Sequence, residues 1–167
     1  EAFIARLIQT RTGTLAATNY SFVFVNGVLT KAASVPPSGT ACNGTYSGTF
    51  KGNLTVSKGQ TCVFFGGGTT GSITETGGNL VLKGSTIGSN IVINSGGAFN
   101  ISASTIIKGN LTIHSLPKST SSNQVCGSTI AGSLVVQSNG TAVVIGDGTP
   151  ACTRNTINGS LQVSNNS

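Results

Sequence analysis

Apolar and polar positions alternate in one short phrase that recurs six times: Gly, a polar residue, Leu or Ile, any residue, then Val or Ile, with minor departures. Its anchors are Leu54, Ile73, Ile91, Leu111, Leu134 and Leu161, spaced 19, 18, 20, 23 and 27 residues apart. Four residues before them stand Phe50, Thr69, Ile87, Ile107, Ile130 and Ile157. A period near twenty, with short strands and glycine turns, is the pattern of a solenoid. The residue four before the anchor, the anchor, and the residue two after it are expected to face inward. In the second repeat that set is Thr69, Ile73 and Glu75. A second apolar run per repeat supplies another wall: Val63-Phe64-Phe65, Leu80-Val81-Leu82, Phe99-Asn100-Ile101 and Val143-Val144-Ile145. The pattern predicts an all-β chain, a parallel β-helix of about six coils over residues 41–167. A sandwich or barrel would use antiparallel hairpins and has no need of in-register identity every twenty residues. Glycines two before most anchors (Gly52, Gly71, Gly109, Gly132, Gly159) are expected to let the chain bend between faces.

Residues 1–40 depart from the repeat. Tyr20, Phe22, Val23, Phe24 and Val25 form a β-prone run, followed by Asn26-Gly27 and Val28-Leu29-Thr30, the pattern of a tight hairpin. Residues 1–9 fit a short helix or another strand, and 35–39, with two prolines, a linker or turn. A solenoid end needs covering, so this extension is expected to cap its own stack or to serve as an assembly arm.

Composition narrows the setting. Only 7% of the 167 residues are charged and 37% are hydrophobic, with a mean hydropathy of +0.21. The solubilising surface is therefore hydroxyl and amide, which suits an extracellular or cell-surface β protein. The net charge of +6 comes from singly scattered bases, unlike the clustered cations of a nucleic-acid surface, and leaves room for attraction to cell-wall or acidic glycans. Methionine is absent even at position 1, in keeping with a removed secretory signal. No apolar run reaches 18 residues, so no membrane span is expected.

The four cysteines never take CxxC spacing. Cys42 and Cys62 are 20 residues apart, and Cys126 and Cys152 are 26 apart, each about one coil. Residues on neighbouring coils stack ~4.8 Å apart, within reach of a disulfide. Bridges Cys42–Cys62 and Cys126–Cys152 are expected, and with them an oxidising compartment. Longer loops at 114–123 and 146–155 are expected to share one corner with the second bridge, where stacked insertions mark either a binding face or tolerated loop growth.

Catalytic chemistry finds little to work with. Glu75 and Asp147 belong to repeats about four coils apart, which at strand spacing puts them ~15–20 Å from each other. That is too far to flank one glycosidic bond. His114 is the only histidine, has no acidic neighbour in sequence and lacks zinc-finger spacing. No catalytic residue, metal site or cofactor is expected. Thr86, Thr129 and Thr156 are expected to form an outward ladder, and Thr55, Thr74 and Thr112 a second. Of eight Asn-x-Ser/Thr sites, Asn139 and Asn43 fall in predicted turns and are the better glycan acceptors.

The phrases Lys51-Gly-Asn-Leu-Thr-Val56, Lys108-Gly-Asn-Leu-Thr-Ile113 and Ser128-Thr-Ile-Ala-Gly-Ser-Leu-Val-Val136, with Cys42-Asn-Gly-Thr45, resemble the GN(V/L) repeats of secreted, cysteine-bridged bacterial β-helix proteins. They are more loosely similar to the bactofilins. The likeness covers about residues 42–164 and implies fold and export, without catalytic residues to carry over. The sequence reading is a secreted or surface structural protein that self-assembles, with an adhesin or glycan-binding module as its alternative.

Overall fold

The computed structural model describes the backbone of residues 22–25 and 28–31, and residues 40–119 and 122–167 in full. From Gly44 onward, three parallel six-stranded sheets wind into a β-solenoid, each coil giving one strand to each wall. The first wall runs through Gly44–Tyr46, Thr61–Phe65, Asn79–Lys83, Phe99–Ser102, Asn123–Val125 and Val143–Ile145. The second is narrow, two residues per strand: Thr49–Phe50, Gly68–Thr69, Thr86–Ile87, Ile106–Ile107, Thr129–Ile130 and Thr156–Ile157. The third is Leu54–Ser57, Ile73–Thr76, Ile91–Asn94, Leu111–His114, Leu134–Gln137 and Leu161–Ser164. We number the coils 1 to 6 in this order. The predicted parallel β-helix is thus the fold.

Strand alternation sends every second side chain inward, and parallel register stacks like on like. Leu54, Ile73, Ile91, Leu111, Leu134 and Leu161 form one column. Phe50, Thr69, Ile87, Ile107, Ile130 and Ile157 form another. The first wall adds Tyr46, Phe64, Leu82, Ile101, Val125 and Ile145. In coils 1 and 2 the space is filled by three rings, Tyr46, Phe50 and Phe64, with centroids 5.0 to 5.8 Å apart. Thr69, the polar exception in its column, donates its hydroxyl to the Gly52 carbonyl, so its burial leaves no unmet donor.

The corner before the third wall explains the Gly-Asn phrase. At this position each coil's side-chain oxygen accepts the backbone N–H of the next coil's residue. Ser72 N–H donates to Asn53 Oδ1 (2.9 Å), Asn90 N–H to Ser72 Oγ (3.3 Å) and Asn110 N–H to Asn90 Oδ1 (2.8 Å). Ser133 N–H then donates to Asn110 Oδ1 (2.8 Å), and Ser160 N–H to Ser133 Oγ (3.1 Å). A turn N–H without a partner in its own coil is thus satisfied by a side chain one coil back. The glycines serve this ladder. A Cβ on Gly71, Gly109 or Gly132 would collide with Asn53, Asn90 or Asn110 Oδ1 of the preceding coil. Where the preceding coil carries the shorter Ser72, the position holds Ser89 instead. Bending was the expected role, but of the five glycines only Gly52 has a positive φ (90°). The others are needed for space.

The third wall ends in a left-handed residue in every coil from the second onward: Gly77 (φ 93°), Ser95 (55°), Ser115 (57°), Ser138 (53°) and Asn165 (53°). This one kink swings the chain into the following coil. Both disulfides form between neighbouring coils, Cys42–Cys62 with Cα atoms 5.2 Å apart and Cys126–Cys152 with 4.7 Å. Ahead of coil 1, Thr40–Cys42 lies on the edge of the third wall. Thr55 N–H donates to the Thr40 carbonyl and Cys42 N–H to the Thr55 carbonyl.

Phe22–Val25 pairs antiparallel with Val28–Lys31, Val25 opposite Val28. The expected hairpin is therefore present, while its turn residues, Tyr20, residues 1–9 and residues 35–39 lie outside the described residues.

Candidate functional site

The six coils repeat one design but end differently. Leu111 and Leu134 are completely buried, as is Ile113, and Val136 is nearly so. Leu161 and Val163, stacked in register on Leu134 and Val136, are 57% and 62% exposed. Ile157, Val143 and Ile145 are half-buried. Ile157, Leu161 and Val163 thus keep the inward columns expected of them, and they are exposed because no further coil stacks on them among the described residues.

Hydrogen-bonding groups follow the same logic. In coils 1 to 5 the anchor N–H donates to the corner carbonyl of the next coil: Leu54 to Ser72, Ile73 to Asn90, Ile91 to Asn110, Leu111 to Ser133 and Leu134 to Ser160. Among the described residues the Leu161 N–H has no such carbonyl, and the Ser160 hydroxyl has no N–H to accept. The repeat nevertheless runs on into 165–167. Asn166 Oδ1 accepts from Asn139 N–H (3.1 Å) and from Asn139 Nδ2 (2.8 Å), while its own Nδ2 donates to the Val136 carbonyl (3.0 Å). Beside it opens a depression of about 200 Å³ lined by Val136, Thr141, Ala142, Val143, Ile145 and Val163. Coil 6 thus offers an apolar floor, a strand edge with no partner among the described residues, and a notch wide enough for one side chain.

The outer walls are almost uncharged. Outward on the second wall stand Thr49, Gly68, Thr86, Ile106, Thr129 and Thr156. The expected Thr86–Thr129–Thr156 ladder therefore exists but is broken by Ile106, 43% exposed. Thr105 aligns instead with Ser85 and is buried, donating to the Ser102 carbonyl (2.7 Å). On the third wall Thr55, Thr74 and Thr112 share their column with Val92, Val135 and Gln162. Beside it runs Ser57, Thr76, Asn94, His114, Gln137 and Ser164, each on or aligned with a third-wall strand end. His114 is half-buried, its Nδ1 3.1 Å from Ser115 Oγ.

Two further expectations change. The 114–123 loop joins the third wall to the first, whereas 146–155 joins the first to the second. They occupy different corners, and only the latter lies with the Cys126–Cys152 bridge. The earlier loop turns Leu116 into the core, its N–H donating to Asn139 Oδ1 (3.1 Å). Asn139 is consequently 2% exposed, and its Nδ2 also donates to the Ile113 carbonyl. A turn position predicts accessibility; stacking turned this asparagine into a buried cap, and it cannot accept a glycan in the folded chain. Asn43 is exposed, as expected.

Of the acidic groups, Asp147 is exposed and its carboxyl is held below the usual range by Thr149, whose hydroxyl and N–H both donate to Oδ1. Glu75 lies on the inward column of the third wall and is 1% exposed. Burial pushes its pKa up to about 7 against the pull of the Gly77, Gly78 and Gly97 N–H groups. No cluster of three or more His, Cys, Asp or Glu occurs among the described residues, and no helix among them is long and apolar enough to cross a membrane. The chain matches no protein family, curated protein or solved structure in comparison. The functional reading therefore rests on its own residues.

Proposed function

We propose that this chain is an extracellular or cell-surface structural protein that self-assembles through its coil-6 face. The observation that carries the reading is the coil-6 face. It has the chemistry of each internal coil-to-coil contact, with Leu161 and Val163 exposed where Leu134 and Val136 are covered. Strand addition supplies main-chain hydrogen bonds to such an edge and side chains to its notch. The donor in this reading is the Phe22–Val25 strand of a second copy, a run of Phe and Val in sequence. The contact is heterologous and so propagates a filament. Two disulfides agree with a compartment outside the reducing cytoplasm.

Sedimentation and electron microscopy across a concentration series test this. Wild-type chain is expected to form end-to-end polymers. Leu161→Lys with Val163→Lys, or removal of residues 1–30, is expected to leave monomers with unchanged strand content. Wild-type monomers at millimolar concentration sink the proposal. The third wall, with Thr76, Asn94, His114 and Gln137 at its strand ends, favours a second reading as a glycan-binding module. That reading predicts binding on a glycan array that survives removal of residues 1–30.

A further inference from the structure

Glu75 is the one charged side chain of the described residues that lies in the core. Parallel register places it between Val56 of coil 1 and Ile93 of coil 3, so aliphatic side chains stack on both sides of it in the column. The side chain bends toward the corner where the third wall hands over to the first. That corner is rich in glycine, being Gly77-Gly78 in one coil and Ser95-Gly96-Gly97 in the next. Glu75 Oε2 occupies the space that a Cβ on Gly96 would need. Gly97 N–H donates to the Gly78 carbonyl (2.9 Å), which ties the two glycine pairs together around the carboxyl group. Oε1 is buried without a hydrogen-bond partner.

The charged surroundings are sparse. The adjoining inward positions are Leu80 and Leu82 on the first wall and Thr69 on the second, none of them ionisable. Lys58 packs its Cβ beside Gly77 but is itself exposed. Lys83 faces outward, its Nζ 5.4 Å from the Phe65 ring centroid. Among the described residues no cation compensates the carboxylate, and peptide N–H groups alone stand against its desolvation.

We propose that Glu75 is a proton-operated latch between coils 2 and 3: neutral, it closes the glycine corner; ionised, it loosens that corner and the stack on either side. The cause is the cost of a charge in an apolar column. An aliphatic residue there, as in the other five coils, would not respond to pH. The direction follows from linkage. With its pKa near 7 in the fold against 4.5 unfolded, the folded chain holds the proton more tightly. The stabilising contribution is complete below 4.5 and is lost as pH rises through 7. Between pH 5 and pH 8 the folding equilibrium constant is expected to fall on the order of a hundredfold from this group alone.

The full disulfide-bonded chain tests the latch. A carbon-detected NMR titration of the Glu75 carboxyl is expected to give a midpoint near 7; a midpoint near 4.5 overturns the proposal, and needs no variant. Denaturant melts at pH 5 and pH 8 are expected to separate for wild type and to lose most of that separation in Glu75→Gln and Glu75→Ile. If either folded variant keeps the full wild-type separation, another group carries it and the proposal fails. Neither readout depends on self-assembly.

Discussion

Coils 5 and 6 carry the same phrase in the same register, yet one is core and the other is surface. Ile130, Leu134 and Val136 are at most 4% exposed, whereas Leu161 and Val163 exceed half exposure. The residues do not differ in kind; what differs is the presence of a following coil among the described residues. In a solenoid, burial belongs to the contact between neighbours rather than to the motif. The same holds for polar groups. Asn110 and Ser133 spend their side-chain oxygens on the next coil, while Ser160, which has no next coil among the described residues, keeps its hydroxyl.

The sharpest way to break this comparison is to cut the same motif position in two coils. Leu111→Ala is expected to cost ~2–5 kcal/mol, because a buried leucine leaves a cavity that its neighbours only partly fill. Equilibrium unfolding in urea measures it. Next in size is the loss of a bridge. Replacing Cys126 and Cys152 together by Ser is expected to cost ~2–4 kcal/mol, read as a lower melting temperature. Limited proteolysis should then cut in the 146–155 loop. A smaller effect tests the glycine rule. Gly132→Ala is expected to destabilise by ~1–3 kcal/mol through overpacking against Asn110. Adding Asn110→Ser should recover part of that loss, since Ser72 beneath Ser89 shows the pairing the corner accepts. Strict additivity in the double-mutant cycle would mean the two sites do not touch. The smallest effect is expected from Leu161→Ala, under about 1 kcal/mol for the dilute monomer. A cost equal to that of Leu111→Ala would show that coil 6 is covered in solution.

Much of the fold was legible because parallel stacking forces identity at a fixed period. The anchors and their partners four before and two after could be read as inward columns, and they are. The cysteine pairs were legible for the same reason, since residues one period apart become neighbours in space. Less visible were first-wall strands whose composition is not apolar. Asn123–Val125 turns Asn123 inward, where its Oδ1 accepts the Phe99 N–H (3.1 Å). No periodic rule distinguishes that asparagine from a loop residue. Glu75 broke the pattern visibly, but its burial among glycines depends on a corner assembled from two coils. The 114–123 and 146–155 insertions were placed on one corner because counting back from the anchor ignores which wall each insertion precedes.

By itself, then, the chain's periodicity determined the solenoid, the columns of its core and its disulfide pairing. Each follows from local alternation repeated at a constant interval. Tertiary structure alone decided that Asn139 is a buried cap and that the Gly-Asn phrase is a matter of space. It also decided that Glu75 is enclosed and that coil 6 is uncovered among the described residues. Those outcomes depend on what the next coil places against a residue, a distance of a few ångströms in space and about twenty residues in sequence.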